Sequence, residues 1–351
     1  MEKLTHSESP RVGCVKRLSR RTLILLSVLL ALLVIGLAVG LGVGLGLTGD
    51  GEDSDNDDDD GIPSPGPSST PLPTPPANGS LWQPAVNSSW QIVLLNPLSL
   101  SKSATSVSPD VDIFDIDLFS NDQSTIEKLH QLGKKVICYF SAGSYESYRP
   151  DSSEFQPSDL GKELDGWPGE RWLDIGSSNV RRIMAARIAL AASKGCDAID
   201  PDNVDGYKPE PDASQSNENG LGLSEQDSID FLQFLSNEAR NYTLAIGLKN
   251  AGSIIPDVLD MMSFSVNEQC VQYSECETFA PFVKAGKPVF HIEYPSDESL
   301  NNVAKSAVED LCSGDGSASG STDFSTVIKN MNLNGWVEYC NGTTADTATS
   351  Q

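Results

Sequence analysis

The chain has 351 residues and a formal charge of −25 at pH 7. Residues 1–21 hold six basic and two acidic side chains, so everything after them stands at −29, a sign that repels nucleic acid and anionic lipid headgroups and favours cationic partners. Such acidity also keeps an exported protein soluble, so it narrows the partners without naming a fold.

Residues 22–49 form a run of 28 positions without a charged side chain, longer than the roughly 20 residues a helix needs to cross hydrocarbon. Arg11, Lys16, Arg17, Arg20 and Arg21 precede it, while Asp50, Glu52, Asp53 and the run Asp57 to Asp60 follow. The positive-inside rule then makes residues 1–21 a cytosolic tail and residues 22–48 a single-pass signal anchor, with the rest of a type II protein outside the cell membrane. A cleaved signal peptide is disfavoured, because its apolar core spans only about 7–15 residues. Residues 49–80 continue as an acidic stretch and then seven prolines between positions 62 and 77. That composition buries no core and gives an extended stalk. Acceptor sequons at Asn78, Asn87, Asn241 and Asn341 suit a lumenal route.

Of seven cysteines, Cys14 lies beside the span and six follow it, an even number that allows disulfides. Cys270 with Cys276 is the first expected pair, since five intervening residues close a small loop, and Cys312 with Cys340 is the second. Cys138 and Cys196 sit in apolar strand contexts that suit buried thiols.

Residues 81–345 read as one α/β domain, with residues 346–351 a disordered tail. Strand candidates are residues 91–96, 111–119, 136–143, 172–175, 197–202, 244–250, 263–268, 288–294 and 335–340. Helical stretches alternate with them. SSNVRRIMAARIALAASKG opens on capping serines and ends at Gly195, while SEQDSIDFLQFLSNEAR pairs Ser224 with Asp227 as a capping box. Strand and helix in alternation argue for parallel strands with right-handed crossovers. At this length a (β/α)8 TIM-like barrel is favoured over an open sheet, and nine candidates for eight positions put one strand outside it.

In parallel α/β folds, ligands bind at the carboxyl ends of the strands. Those ends carry Asp115 and Asp117, Tyr139 and Ser141, Asp200 and Asp202, Lys249 and Asn250, Asn267 and Glu268, Glu293 and Tyr294, and Glu338 and Tyr339. Within GCDAIDPDNVDGY, residues two apart share a face. Asp200 and Asp202 therefore point together while Ile199 faces the helices, Asp205 falls in the following turn and Asp197 is a solvated bystander. Asp117, Tyr139, Ser141, Asp200, Asp202, Asp205, Lys249, Asn250, Glu268 and Glu293 are the candidate site residues.

The domain holds only His130 and His291, neither at ligand spacing from another histidine or cysteine, so no metal site is expected. No GxSxG elbow and no phosphate-cradling glycine motif occurs, so no cofactor is expected. Carboxylate chemistry is left. Glycoside hydrolysis needs two carboxyl groups across a cleft, one to protonate the leaving oxygen and one as nucleophile or base. Tyr145, Tyr148, Trp167 and Trp172, in a long connection, offer flat faces for sugar rings, of which one or two are expected to serve.

VICYFSAGSYESYRPD, LDIGSSNVRRIMAARIALAASKGCDAIDPDNVDGY, LAIGLKNAG and SFSVNEQCVQYSEC, in that order, resemble the endo-α-1,4-polygalactosaminidases, glycoside hydrolase family 114, here of a fungal membrane-anchored kind. The resemblance covers most of residues 90–340. It implies a TIM-like barrel that cleaves α-1,4-linked galactosamine in partly deacetylated galactosaminogalactan, a cationic polymer; separately, a monomer is expected. The resemblance places the two catalytic acids at Asp202, of PDN, and Glu268, of NE, without saying which is which; Asp202 is taken here as nucleophile and Glu268 as acid/base. It puts Asp117, Tyr139, Lys249 and Asn250 around the sugar. Two departures stand out: an insertion, KPEPDASQSNENGLGLS, between the acids, and aspartate at position 200 where the family often has glutamate. A carbohydrate-binding barrel without activity, or a glycosidase for another glycan, is the alternative.

Overall fold

The computed structural model describes residues 81–207, 219–295 and 303–350. The expected tail, anchor and stalk lie outside these residues, as do Asn78 and most of the insertion after Tyr207. Among the described residues, no helix is long and apolar enough to cross a membrane.

Eight parallel strands follow one another in chain order: β1 (Trp90–Val93), β2 (Ile113–Asp117), β3 (Lys135–Ser141), β7 (Ala198–Asp202), β8 (Ala245–Lys249), β9 (Phe264–Glu268), β10 (Val289–Glu293) and β11 (Ser325–Ile328). Antiparallel β12 (Trp336–Tyr339) and β13 (Thr344–Asp346) extend the sheet to ten strands. The sheet curls until its first and eighth parallel strands meet through side chains. Trp90 Nε1 donates to the Ser325 carbonyl at 2.7 Å, Ser325 Oγ to the Ser88 carbonyl at 2.8 Å and Lys329 Nζ to Gln91 Oε1 at 2.9 Å. The result is a TIM-like arrangement whose closing seam is a set of side-chain bonds.

Helices α1 (Gln123–Gln131), α2 (Ser178–Lys194) and α3 (Glu225–Asn241) are the long crossovers. Ser177 caps α2 by accepting from the Asn179 and Val180 amides, and Gly195 ends it at φ 88°. Ser224 and Asp227 form the capping box of α3. Later crossovers shrink to α4 (Ile255–Val258), α5 (Cys270–Tyr273), α6 (Ala280–Lys284) and α7 (Lys305–Leu311). A three-stranded antiparallel sheet, β4 (Ser144–Glu146), β6 (Glu170–Leu173) and β5 (Leu160–Glu163), is inserted between β3 and α2.

Strand parity decides what faces inward. Trp90, Ile113, Ile137, Ala198, Ala245 and Phe264 fill the barrel at or near the strand starts, whereas Asp117, Tyr139, Asp202, Lys249 and Glu268 reach the cavity at the other end. Ile199 joins the separate apolar layer under the helices, as strand alternation requires.

Four expectations change. The strand at 172–175 belongs to the inserted sheet. The one at 335–340 is antiparallel β12, so Glu338 and Tyr339 do not end a barrel strand, and STVI supplies the eighth. Residues beyond 345 are held to the domain: the Leu98 and Thr349 backbones bridge, and the Ser350 amide donates to the Pro97 carbonyl. Finally, Cys138 and Cys196 are a disulfide with Cα atoms 6.0 Å apart, alongside the expected Cys270–Cys276 and Cys312–Cys340. Cys138 points to the helical side of β3, where the loop leaving α2 brings Cys196 against it.

Asp197 is a clamp and not a bystander. It accepts from His130 Nε2 at 2.8 Å, Lys135 Nζ at 2.6 Å and the Val136 amide at 2.9 Å, tying α1 and β3 to the start of β7. Burial pushes its pKa up, but His130, Lys135 and the amide outweigh burial and lower it. A lowered carboxyl stabilises above its unfolded value of about 3.9 and loses that contribution as pH falls through the folded value. Asp197→Asn is thus expected to lower the unfolding temperature by about 2–4 °C at pH 7 and by less at pH 3, read by thermal scans at both.

Candidate active site

The carboxyl ends of the parallel strands and one edge of the inserted sheet enclose a cavity of ≈ 970 Å³. Three consecutive barrel strands each end on a charged side chain followed by a residue in the left-handed region. Asp202 precedes Asn203 (φ 59°), Lys249 precedes Asn250 (φ 49°) and Glu268 precedes Gln269 (φ 63°). Strained non-glycine residues of this sort gather where surrounding structure enforces them. Here the turn stops each strand with its last side chain aimed into the cavity.

Lys249 Nζ lies 3.1 Å from Asp202 Oδ1 and 3.0 Å from Glu268 Oε2. One ammonium touching both oxygens limits their separation to about 6 Å, closer to the roughly 5–5.5 Å of retaining glycosidases than to the 6.5–9.5 Å of inverting ones. Asp202 also accepts from Tyr139 OH at 2.7 Å and the Asn203 amide at 2.7 Å. Glu268 accepts from Tyr294 OH and from Asn250 Nδ2 at 3.2 Å, and its own amide donates to Asn250 Oδ1 at 2.9 Å. Burial pushes the Glu268 carboxyl up, yet Lys249, Tyr294 and Asn250 outweigh it and hold the group below its usual value. Burial likewise works against the Lys249 charge, and Asp202, Glu268 and Asp200 raise it well above the ordinary lysine value. Burial and the Asp202 charge push the Tyr139 phenol well up, and burial with Glu268 does the same to Tyr294. Both phenols therefore stay protonated and donate.

The other cavity acids divide by whether a cation answers them. Arg149 donates to Asp117 Oδ2 at 2.6 Å and to both oxygens of Glu146 at 2.6 and 2.8 Å. Asp117 Oδ1 is filled by the amides of Phe119 and Ser120, so its carboxylate is wholly engaged although it lines the cavity. Asp205 and Glu170 line the same cavity with no cation within ion-pair distance among the described residues. Burial and the charge of Asp202 push Asp205 up to about 6, and burial with Glu146 pushes Glu170 up to about 7. Tyr148 and Trp167, 68% and 55% exposed, stand on the rim of the cavity.

Of the predicted contacts, Asp117, Tyr139, Asp202, Asp205, Lys249, Asn250 and Glu268 meet in the cavity, and Ser141, Asp200 and Glu293 do not reach it. Ser141 joins strand exits, bonded to Ser144 Oγ at 2.6 Å and Asn203 Nδ2 at 2.9 Å, while its carbonyl accepts from buried Arg187. Asp200 faces inward with Asp202 but one layer deeper, fully buried. Glu293 has outward parity, accepting from the Val271 amide at 2.7 Å and His291 Nε2 at 2.9 Å, so the cleft contact falls to its neighbour Tyr294. Glu146, Arg149 and Glu170 were not legible as site residues, because they sit on an insertion whose strands are short and charged. Cys270, Cys276 and His291 converge within 4.8 Å, but the two sulfurs are bonded to each other and supply no thiolate.

A family model described as glycoside-hydrolase family GH114 matches residues 72–345. Among solved structures, the chain is similar to Aspergillus fumigatus Ega3 in complex with galactosamine, at 55% identity over 75% of this chain and 99% of that one, with a TM-score of 0.67. The glycoside hydrolase domain of PelA from Pseudomonas aeruginosa shares the fold at 12% identity, covering 70% of this chain and 95% of that domain, with a TM-score of 0.53. No curated protein matches.

Proposed function

The chain belongs to glycoside-hydrolase family GH114, and from that premise we propose that it is an endo-acting hydrolase of α-1,4-galactosaminidic bonds in partly deacetylated galactosaminogalactan. The carrying observation is the pair Asp202 and Glu268, held by one lysine at a separation suited to double displacement. Asp202 attacks the anomeric carbon while Glu268 gives a proton to the departing oxygen. Glu268 then takes a proton from water, which displaces Asp202 and returns both groups to their starting state. Tyr139 and Lys249 hold the attacking carboxylate. A substrate that fills the cleft excludes water from Glu268, and that desolvation favours the protonated form that the first step uses. Because kcat/KM reports free-enzyme pKa values, the depressed Glu268 sets an optimum on the acid side of neutrality.

The amino sugar of the Ega3 complex supports a cationic substrate here, since among the described residues neither Asp205 nor Glu170 has a cation within ion-pair distance. The test is product analysis: new reducing ends and a ladder of oligosaccharides from the deacetylated polymer, with the fully N-acetylated polymer spared. Equal cleavage of both would remove amine recognition, and retention of polymer without new ends would make the protein a binder. Raising salt from about 0.05 to 0.5 M is expected to raise KM several-fold with little change in kcat, since screening weakens the attraction of the cleft for the polymer.

Residues 22–48 would anchor this monomeric domain outside the cell membrane on a stalk. The exposure of Asn87, Asn241 and Asn341 and the three disulfides support that placement. Protease accessibility of the domain on intact cells tests it.

A further inference from the structure

Beneath the cavity, the barrel interior holds two carboxyl groups that nothing in the proposed mechanism uses. Asp115 and Asp200 are both fully buried, and no oxygen of either accepts a hydrogen bond from any N–H or O–H among the described residues. They come from β2 and β7, the second and fourth barrel strands, and alternate strands supply one interior layer of a barrel. The intervening β3 places Tyr139 level with both Asp117 and Asp200, so Asp115 is the inward residue just below that level. Sharing that interior layer, the two carboxyl groups are neighbours, and burial and the charge of Asp200 raise the proton affinity of Asp115. Two bare carboxylates cannot hydrogen-bond, and a buried polar group left unpartnered is strongly disfavoured.

We propose that Asp115 keeps a proton and donates it to Asp200, and that the single negative charge left on Asp200 steadies Lys249 from below, making this a positioning pair for Asp202 and Glu268. The inference rests on the hydrolase reading of those two residues. The groups facing the pair are Lys249 on β8, Asp202 at the end of β7, Glu268 at the end of β9 and the Tyr139 phenol on β3. Burial and the charge of Asp200 push Asp115 well up. Burial raises Asp200 as well, but Lys249 opposes it there, so of the two Asp115 is the one that keeps the proton. Lys249 would otherwise be pulled only toward the cavity. A charge on the far side fixes its height between the two reacting carboxylates.

The experiment compares the full chain as wild type, Asp115→Asn and Asp115→Asn/Asp200→Asn. Asparagine has the shape of the protonated acid and a permanent N–H, so the single variant keeps both the bond and the charge on Asp200. Its kcat/KM against pH is expected to overlay the wild-type profile, within about threefold in height. The double variant loses the charge as well, and both limbs of its profile are expected to move about one unit toward acid, with kcat down about tenfold. Thermal unfolding gives a readout independent of turnover. A carboxyl whose folded pKa is raised stabilises below its unfolded value and loses that contribution as pH rises through the folded value. The wild-type unfolding temperature is therefore expected to fall more steeply above pH 5 than that of Asp115→Asn, by the slope of one proton. Equal slopes would mean that no proton is held, and would overturn the proposal even if the hydrolase reading stands. Movement of the Asp115→Asn limbs as far as those of the double variant would overturn it as well, by showing that a second charge, offset by a cation or water, had been removed.

Discussion

Asp202→Asn and Glu268→Gln are each expected to lower kcat/KM by at least about 10³-fold while the chain keeps its circular-dichroism spectrum and still binds the deacetylated polymer. Each change keeps the shape of the side chain, and Lys249 retains one of its two carboxylate partners, so the cavity wall has no cause to collapse. The chemistry, by contrast, has no substitute. An amide at position 202 is too weak a nucleophile to form the glycosyl intermediate, and an amide at 268 has no proton to give the leaving oxygen. Small anions separate the two roles. With Asp202→Gly, azide is expected to restore turnover and yield a glycosyl azide of inverted configuration. With Glu268→Gly, azide should attack the accumulated intermediate and yield the retained configuration. The reverse pattern would exchange the roles, and turnover by either amide variant within tenfold of wild type would remove that residue from the mechanism.

The parts of this site that were legible in the sequence are those where a strand's own period places the side chain. Asp202, Lys249 and Glu268 each end a run of β-branched or apolar residues, so alternation and the carboxyl-end rule locate them. The same rule fails at Glu293 and at Asp200 for two reasons. Parity turns Glu293 outward and leaves Tyr294 as the contact, and depth puts Asp200 a full layer below the cavity floor. STVI was invisible because Ser325 and Thr326 dilute a four-residue strand set within a serine- and glycine-rich stretch. The Cys138–Cys196 bond depends on how α2 returns to β7, which neither local run contains. The Arg149 network was hidden for a related reason: YESYRPD shows aromatic faces, and only the fold shows that Arg149 cancels Asp117 and Glu146.

That cancellation makes Lys249 the sole cation on the reacting pair among the described residues, and Lys249→Met is expected to be nearly as damaging as loss of a carboxylate. Methionine fills similar volume, so the defect is electrostatic. Without the ammonium, two carboxylates about 6 Å apart in a poorly hydrated cleft cannot both stay ionised, and one pKa rises steeply. The Glu268 carboxyl, now held low by Lys249 and Tyr294, would move up. The alkaline limb of kcat/KM should then shift to higher pH by one unit or more, with the maximum about 10²-fold lower, because the Asp202 nucleophile is no longer held in line. Lys249→Arg is not expected to rescue it, since a planar fork cannot present one point charge equally to both oxygens. Stability follows the same logic. Removing the cation leaves buried like charges that cost about 3–5 kcal/mol at neutral pH, and acid relieves them by protonation. The unfolding temperature of Lys249→Met should therefore approach that of wild type as pH falls from 7 to 4. If the gap widened toward acid instead, or if the alkaline limb stayed where it is in wild type, Lys249 would be a packing residue and the bridged pair would need another explanation.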